Sequence, residues 1–449
     1  MNKMTYRELA NEIFKKGKNK MDAMEVYIEK SKQIQIGVFE GEIDKYQIAE
    51  SEGLSLRGIS GDKMGYSYTE KVDPSSIDML VHEAYENAKY IDSVDKEIIF
   101  SGSEQYKEIE QHKDGLGQVS LEEKMQFVKK LEEAAFQLDE RVVAVNSCIY
   151  NEIESSRRLI NTTGIDLEDK GHLAYSYISV IVKEGDDTKT GMSYMIAHDF
   201  SAFDPKKMAE EAVEEGLSML GATPIKSKEY PVIFRNDVFA DLFGAYRSIF
   251  HAESVQKGLS LLKDKLGDII ASERLTVVDD PFLKGGFATR AFDDEGTATK
   301  LQKVIDQGVL NTYFYNWKTA IKDGVQSTGH GHRSSYKSPI TTSTSNLYIE
   351  AGKPSFQSMI QGMDHGLLIT NLAGLHAGLN PVSGDYSLSA HGYEVEDGKI
   401  KRPVNQITIA GNFFEMLMQI EEIGNDLKFN MSFIGSPSIK VKGVSVAGE

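Results

Sequence analysis

The amino-acid sequence predicts an α+β fold, in which an α/β N-terminal part with an antiparallel sheet and helices precedes a β-rich C-terminal domain. Three observations support this prediction. Several stretches of the first 220 residues space their apolar residues as a helix does. Between these stretches, apolar and polar residues alternate as they do in half-buried strands. Beyond about residue 266, strand patterns and glycine-containing turns predominate.

The N-terminal part opens with a predicted amphipathic helix over residues 5–16. A second helix is predicted to begin at the Asp-Pro dipeptide 73–74, because aspartate favours the N-cap and proline the first helical position. Ser120 and Glu123 form a capping-box pattern that predicts a third helix over 121–138. Four successive antiparallel strands are predicted between the first two helices, in MEVYIEK, QIQIGVFE, DKYQIAE and GLSLRGI.

A second round of elements follows the same plan. Strands are predicted in RVVAVNSCIY, SRRLINT and LAYSYISVIVKE, and another Asp-Pro pair, at 204–205, predicts a helix start. Turn residues over 221–231 predict a domain boundary. The sequence therefore predicts three parts: an N-terminal α+β segment (1–110), a central α+β segment (111–226) and a C-terminal β-rich domain (227–449).

In the C-terminal domain, helices are predicted over about 237–266 and over 411–423. The remaining patterns indicate strands, with EDGK as a hairpin turn and SIKVKGVSV as the last strand.

Composition excludes several classes of function. The formal net charge of -18 repels phosphate backbones, which argues against direct nucleic-acid binding. Cys148 is the single cysteine, so the chain can form neither an intrachain disulfide nor a thiolate cluster. The polar N-terminal sequence lacks the apolar run of a signal peptide, and no stretch approaches the roughly 18 apolar residues of a membrane span. We therefore expect a cytoplasmic protein.

The segment SIFHAESVQKGLS, 248–260, carries the first candidate site. His251 and Glu253 are metal-ligand residue types, but positions i and i+2 lie roughly 200° apart on a helix, which disfavours a shared metal ion. Glu253 and Lys257 stand at i and i+4 in the order that favours an ion pair. The chain contains no His-Glu-x-x-His motif. A surface ion pair is therefore the preferred interpretation, with His251 and Glu253 kept as metal candidates.

A second candidate lies in STGHGHRSS, 327–335. His330 and His332 alternate and could point the same way from a strand, but no third ligand is evident. Their glycine neighbours are typical of a loop close to a ligand or another backbone. The glycine-rich loop 376–386 either lines a cleft or packs tightly. The acidic segment 277–297 could hold a hard metal ion, although Asx turns and caps explain the same residues more simply.

Several motifs together give the chain a family resemblance. They are VDDPFLKGGFATRAFDDEGT, STGHGHR, SGDYSLSAHGYEVEDGKI, ITIAGNFFEMLMQIEEIGNDL and, nearer the N-terminus, GLSLRGISGDKMGYSYT. The sequence resembles the TldD/PmbA family, also called the modulator of DNA gyrase family, and is closer to its PmbA (TldE) branch. The resemblance covers most of the chain.

The resemblance implies a two-chain metallopeptidase that degrades unfolded peptides. TldD-type chains carry His-Glu-x-x-x-His and a C-terminal cysteine as zinc ligands, and TldE-type chains lack them. Aligned on the glutamate, the motif falls on Ala252-Glu253-Ser254-Val255-Gln256-Lys257, so alanine and lysine replace both histidines. The C-terminal segment has no cysteine. The resemblance thus implies no catalytic residue and no cofactor in this chain, with zinc in a TldD-type partner.

These observations lead to one functional prediction and two alternatives. The chain is predicted to be a PmbA/TldE-like subunit that contributes to peptide binding and dimer assembly, with a TldD-type chain or a second copy as its partner. His330, His332 and Arg333 are the peptide-binding candidates. The first alternative is an active peptidase with a non-standard site, and the second is a non-enzymatic regulator of another protein.

Overall fold

The computed structural model describes residues 4–91, 95–109 and 115–449. The N-terminal half is built on one antiparallel sheet in the order β3-β2-β1-β4-β5-β6. Its strands are β1 (Ala23–Phe39), β2 (Glu42–Ser60), β3 (Lys63–Thr69), β4 (Val142–Asn161), β5 (Asp166–Glu184) and β6 (Asp187–Ala197). Strands of the two predicted N-terminal segments therefore share a sheet. The predicted boundary between residues 110 and 111 lies outside the described residues.

Two pairs of helices pack on the same face of this sheet, near its opposite ends. The helices are α1 (Tyr6–Gly17), α2 (Ile77–Tyr90), α3 (Leu121–Leu138) and α4 (Pro205–Ser218). The first pair packs against Val26 and Ile28 of β1, and the second pair packs against Ile34 and Ile36 of the same strand. Between them β1 carries the polar residues Lys30 and Lys32, so the centre of this face lacks an apolar core.

The C-terminal half contains two further six-stranded sheets. One runs β16-β15-β14-β7-β20-β17 and closes through an additional pairing of β16 with β20, and the other runs β10-β9-β8-β13-β19-β18. The strands are β7 (Lys228–Phe234), β8 (Val277–Asp279), β9 (Gln302–Asp306), β10 (Val309–Leu310), β11 (Gly331–His332), β12 (Thr341–Thr342), β13 (Leu347–Ile349), β14 (His365–Ala373), β15 (Asp385–Glu396), β16 (Lys399–Asn412), β17 (Ile420–Ile423), β18 (Lys428–Phe429), β19 (Ile434–Ser436) and β20 (Ile439–Ala447). Strands β11 and β12 form a separate ribbon.

Five helices accompany these strands: α5 (Asn236–Tyr246), α6 (Ala252–Gln256), α7 (Trp317–Asp323), α8 (Phe356–Gln361) and α9 (Phe413–Met418). Short 3-10 helices span Pro74–Ser76, Phe200–Ala202 and Arg247–Phe250. One continuous apolar core joins α5 to both sheets, with Phe239 and Phe243 fully buried between strand residues such as Val232 and Ile434. This core fixes the position of the residues that follow α5.

The observed elements confirm the predicted α+β class and the β-rich C-terminal half. Helix α3 occupies Leu121–Leu138 as predicted, with both hydrogen bonds of the Ser120–Glu123 capping box formed. Asp204 caps α4 by accepting hydrogen bonds from the amides of Lys206 and Lys207. Both agreements arise from local side-chain chemistry that the sequence displays directly.

The predicted extents were wrong in several regions. RVVAVNSCIY and SRRLINT, predicted as two strands, both belong to the single strand β4. The four short strands before residue 60 are two long ones, β1 and β2. The helix predicted over 237–266 ends at Tyr246, and only a 3-10 turn and the short α6 continue it. The helix predicted over 411–423 stops at Met418, because Ile420–Ile423 pairs with β20 instead. In each case pairing with a distant segment overrides the local pattern.

Candidate functional site

The first candidate segment is an interrupted helix. The 3-10 turn after α5 ends at His251, whose backbone is extended with φ -75° and ψ 125°. The amide of Ala252 then donates to the carbonyl oxygen of Phe314 at 3.0 Å, which forms an isolated bridge to a separate segment. Helix α6 starts afresh at Ala252 and contains only five residues. His251 and Glu253 therefore do not lie on one continuous helix.

Glu253 and Lys257 form the predicted ion pair. The Nζ atom of Lys257 lies 2.6 Å from Oε1 of Glu253, and both side chains are exposed. Such an exposed pair contributes about 0.5 kcal/mol or less. The pair also has a chemical consequence. The Lys257 ammonium group occupies the space beside the Glu253 carboxylate that a metal cation would need.

The ring of His251 packs against Phe314. Its ring meets Phe314 edge-on at 6.3 Å between ring centroids, and its Nε2 atom is buried with no hydrogen-bond partner among the described residues. Burial lowers the pKa of His251 to about 4, with smaller effects from the charges of His330 and Arg247. The imidazole is therefore neutral at physiological pH.

The donor atoms of this segment do not fit the zinc centre that the family resemblance describes. Ala252 is fully buried and offers no ligand atom, and Lys257 is a cation. Across residues 4–91, 95–109 and 115–449, no three His, Cys, Asp or Glu side chains are grouped so that they could hold a metal ion. His251 and Glu253 consequently lack a third ligand within the part of the chain that the structure describes.

His330 lies in the core beside the same phenylalanine. Its ring centroid is 4.3 Å from that of Phe314, which thus contacts both His251 and His330. One imidazole nitrogen of His330 lies 3.1 Å from Oδ2 of Asp279, and the other lies 2.8 Å from Oγ1 of Thr328. Burial raises the pKa of Asp279, but its contacts with His330, its hydrogen bond from Ser345 and the charge of Arg290 together outweigh burial and lower the pKa. His330 is therefore a hydrogen-bonded core residue.

His332 and Arg333 differ sharply in exposure. The side chain of His332 is 36% exposed and its Nδ1 atom lies 3.3 Å from Oδ2 of Asp294. The guanidinium of Arg333 is fully buried, donates to Oε1 of Glu25 at 2.6 Å, and lies over the ring of Tyr27 at 4.7 Å. Arg333 thus joins the C-terminal half to the first strand of the N-terminal sheet.

Three consecutive acidic residues, Asp293, Asp294 and Glu295, are buried at this junction. Asp294 pairs with Arg157 of β4 at 2.5 Å, and Glu295 lies 3.9 Å from Arg57 of β2. Although burial acts in the opposite direction, the charge of Arg157 holds the pKa of Asp294 well below its usual range. Burial and the neighbouring Asp293 raise the pKa of Glu295 to about 8.

Asp293 also acts as a local turn residue. Its carboxylate accepts hydrogen bonds from the backbone amides of Glu295 (3.0 Å), Thr297 (2.9 Å) and Gly331 (2.8 Å). This arrangement supports the simpler interpretation of the acidic segment, in which turns rather than a metal ion engage the carboxylates. Sequence reasoning missed the basic partners Arg57 and Arg157, since nothing local connects them to residues 293–295.

The glycine-rich loop 376–386 is held against the end of α5. The hydroxyl of Tyr246 donates to the carbonyl oxygens of Gly384 at 3.1 Å and Asp385 at 3.0 Å. Gly384 has φ +83°, a conformation that glycine adopts without strain. The loop is thus anchored at its second half to the helix that leads into His251.

Comparison with known proteins extends this description to the whole chain. Residues 24–88 match the PmbA/TldA metallopeptidase domain 1, residues 114–220 match the central domain, and residues 227–448 match the C-terminal domain. The chain belongs to the PmbA/TldD family. Its relatives include "Metalloprotease PmbA" from Escherichia coli O157:H7, which is 28% identical over 438 residues that cover 96% of this chain and 93% of that protein.

Two crystal structures share the fold. One, from Thermotoga maritima and named as a candidate modulator of a DNA gyrase, is 32% identical with a TM-score of 0.92, covering 99% of this chain and 100% of that one. TldE from Thermococcus kodakarensis is 25% identical with a TM-score of 0.91, covering 98% of this chain and 100% of that one. Within residues 4–91, 95–109 and 115–449, no helix is both long and apolar enough to span a membrane.

Proposed function

We propose that this chain is the TldE-like subunit of a two-chain metallopeptidase that acts on unfolded peptides. In this proposal it has no zinc site of its own and serves in peptide binding and in assembly of the dimer. Its partner is a TldD-type chain that carries His-Glu-x-x-x-His and the zinc ion, and a homodimer is the alternative assembly.

The observation that carries the proposal is the chemistry of the motif helix. At the three positions that the family motif would use, the chain has a buried methyl group at Ala252, an exposed carboxylate at Glu253 and an ammonium group at Lys257. The Glu253 carboxylate is occupied by the ammonium at 2.6 Å. This donor set lacks the two imidazoles that would hold a zinc ion beside the glutamate.

The peptide-binding role rests on the residues around β11. His332 presents a partly exposed imidazole, whereas His330 and Arg333 are buried at 2% and 3% exposure. We propose that His332 contacts the peptide and that His330 and Arg333 fix the backbone on either side of it. The hydrogen bond from the Arg333 amide to Asp294 Oδ2, at 2.8 Å, supports this division of roles.

A reconstitution assay tests the proposal. The purified chain, a TldD-type chain with an intact His-Glu-x-x-x-His motif, and their mixture are each incubated with an unstructured peptide, and cleavage is followed by mass spectrometry. We expect cleavage in the mixture, none from this chain alone, and co-elution of the two chains on size exclusion. His332→Ala should reduce cleavage by the mixture, and Lys337→Ala is the matched exposed control.

Two results would overturn the proposal. The first is cleavage by this chain alone, together with stoichiometric zinc that is lost along with activity in His251→Ala. The second is failure of the mixture to cleave any peptide that the TldD-type chain does not cleave alone, with no co-elution of the two chains.

A further inference from the structure

The connection between α2 and α3 contains an irregular segment, residues 95–109, that lies against the C-terminal half. We call this segment the arm, and none of its residues belongs to a helix or strand. Its first part is anchored to both halves. The ring of Phe100 packs on Trp317 with 4.7 Å between ring centroids. The carbonyl oxygen of Phe100 accepts hydrogen bonds from the side chains of Asn161 at 2.8 Å and Thr163 at 3.0 Å.

The second part of the arm, residues 103–109, is held more lightly. Oγ of Ser103 accepts a hydrogen bond from the amide of Ala298 at 2.9 Å, and the hydroxyl of Tyr106 donates to the carbonyl oxygen of Gly296 at 2.8 Å. Four of its seven side chains are exposed, those of Glu104, Gln105, Lys107 and Glu108. This part therefore buries little surface that would oppose its detachment.

Gly102 joins the two parts of the arm. Its backbone has φ +102°, a conformation that glycine adopts without strain. Directly after it, the amide of Ser103 donates to the hydroxyl of Tyr106 at 3.0 Å, which links the second part to itself. A glycine between an anchored and a lightly held segment is a suitable hinge, because it can absorb a large change in backbone angles.

The second part of the arm covers two phenylalanine rings of the C-terminal half. The ring of Tyr106 meets that of Phe292 edge-on, with 6.2 Å between ring centroids. Nζ of Lys107 lies 4.0 Å from the centre of the Phe282 ring. With the arm in place, Phe292 is buried at 5% exposure. Detachment of the arm would take an aromatic ring from Phe292 and an ammonium group from Phe282.

The covered rings border an open cleft of about 870 Å³ between the N-terminal sheet and the C-terminal half. Phe292 lines this cleft, and so does Ile109 at the end of the arm. Lys30 and Lys32 of β1 lie on the side of the N-terminal sheet. The arm and Phe292 thus form part of the same wall.

The surface that receives the arm is fixed. The carboxylate of Asp293 accepts hydrogen bonds from the amides of Glu295 and Thr297, which enclose Gly296 in a tight turn. The carbonyl oxygen of Gly296 is the acceptor for the Tyr106 hydroxyl. A rigid acceptor on one side and a hinged donor on the other favour movement of the arm rather than of the wall.

We propose that residues 103–109 form a hinged cover that swings about Gly102 and controls access to the Phe282 and Phe292 side of the cleft. In the closed state, Tyr106 and Lys107 occupy the two rings. In the open state, the rings become available to an aromatic group of a ligand. The inference concerns this chain alone and does not rest on the proposed function.

Limited proteolysis of the full chain with trypsin measures opening, because a protease cleaves a loop from its detached state. The bond after Lys107 lies within the cover, and mass spectrometry identifies its cleavage. Tyr106→Ala removes an aromatic pair and the hydrogen bonds of the hydroxyl, so it should raise the cleavage rate at this bond about tenfold. Gln105→Ala, at an exposed position of the same segment, is the matched control and should stay within about twofold of the unaltered chain.

The opposite side of the contact gives a reciprocal test. Phe292→Leu keeps an apolar side chain but removes the ring that meets Tyr106, so it should raise the cleavage rate after Lys107 about threefold. Tyr106→Phe keeps the ring and removes the hydroxyl, and should also raise the rate about threefold. Urea midpoints of all variants show whether a faster rate reflects the cover or the whole fold.

Dye binding tests whether opening exposes the wall of the cleft. The probe is 8-anilinonaphthalene-1-sulfonate, whose binding reports exposed apolar surface. Tyr106→Ala should bind more dye than the unaltered chain at an unchanged urea midpoint. In a Phe282→Ala background the same substitution should give a smaller increase, because one of the two covered rings is missing.

Equal cleavage rates after Lys107 in Tyr106→Ala and Gln105→Ala would overturn the inference. So would faster cleavage without additional dye binding, since the arm would then not cover the wall. If Tyr106→Ala lowers the urea midpoint, Tyr106→Phe decides, and a rate equal to that of the unaltered chain counts against the cover. A two-chain mixture that cleaves no peptide would contradict the proposed function and leave these results unaffected.

Discussion

Nη2 of Arg333 lies 2.6 Å from Oε1 of Glu25, and both side chains are fully buried. The two residues are 308 positions apart in the chain. Arg57 donates to the same carboxylate oxygen through its Nε atom at 2.9 Å. One carboxylate on β1 therefore holds an arginine from its own sheet and an arginine from the C-terminal half.

Removing one member of this cluster should destabilise the fold strongly. Arg333→Met removes one of the two guanidinium groups that contact the buried Glu25 carboxylate and leaves Arg57 in place. The loss of a hydrogen bond to a charged group costs about 1.5–3 kcal/mol. Urea unfolding followed by circular dichroism measures it. Lys337→Met breaks the exposed pair with Glu70 at 2.6 Å and serves as the control, with no measurable loss expected. Equal midpoints for the two variants would contradict a stabilising role for the Arg333–Glu25 pair.

Glu295 should give the chain a distinct pH dependence. Burial and Asp293 raise its pKa to about 8, with Glu25 adding to the rise and Arg57 opposing it. The folded state then holds a proton that the unfolded state has released above its ordinary pKa of about 4.5. The free energy of unfolding falls as pH rises between these values, by at most about 1.4 kcal/mol per pH unit.

Glu295→Gln removes this titration. Its free energy of unfolding should fall less between pH 5 and pH 8 than that of the unaltered chain, as measured by urea unfolding at each pH. Glu140→Gln, at an exposed position, should keep the original slope. Parallel curves for the unaltered chain and Glu295→Gln would show that Glu295 does not carry this proton.

Restoring the family's ligand residues should not restore a zinc site. Ala252 is fully buried in the core that contains Phe250 and Phe314, so Ala252→His overpacks it at a cost of about 1–3 kcal/mol. Lys257→His changes an exposed position and should be nearly neutral. We expect the double variant to unfold at lower urea concentration than Lys257→His and to contain no stoichiometric zinc by elemental analysis. Tight zinc binding without loss of stability would show that the site can accommodate an imidazole.

Two glycines should be intolerant of a methyl group because helices lie directly on their strands. A Cβ on Gly65 of β3 would lie 1.8 Å from the carbonyl oxygen of Ala84 in α2, and one on Gly191 of β6 would lie 2.0 Å from that of Ala212 in α4. Gly65→Ala and Gly191→Ala should each cost at least about 1–3 kcal/mol. Gly362→Ala, whose nearest contact would be 3.4 Å, is the control, and equal melting temperatures would refute the close packing.

Local sequence patterns predict correctly those features that depend on residues close together in the sequence, such as helix starts and i, i+4 ion pairs. The Ser120–Glu123 box predicts where helix α3 begins, and the i, i+4 spacing predicts the Glu253–Lys257 ion pair. The sequence predicts two strands in place of the long strand β1, because Lys30, Lys32 and Gln33 interrupt its apolar alternation. These three residues belong to neither of the two apolar clusters that join the described helices to this sheet, so packing does not require apolar side chains there.

The contacts that define the candidate site were beyond sequence reasoning. Asp279 and His330 are hydrogen-bonded although 51 positions separate them in the sequence. Arg157 and Asp294 are hydrogen-bonded across a separation of 137 positions. Nothing in the neighbourhood of His330 distinguishes a buried, doubly hydrogen-bonded imidazole from an exposed one. The sequence therefore groups His330, His332 and Arg333 as candidates, but it does not show that His332 is the one whose side chain is partly exposed.

The buried charges at the junction also limit how the molecule can be dissected. Glu25 and Arg157 lie on the N-terminal sheet, and their charged partners Arg333 and Asp294 belong to the C-terminal half. Cutting the chain near residue 226 would separate the two members of each pair. In either fragment, side chains that are now buried would then face water without their opposite charge. We expect that neither fragment alone keeps the structure that it has in the full chain. Truncation, split-protein fusion and domain transplantation should therefore leave the junction intact.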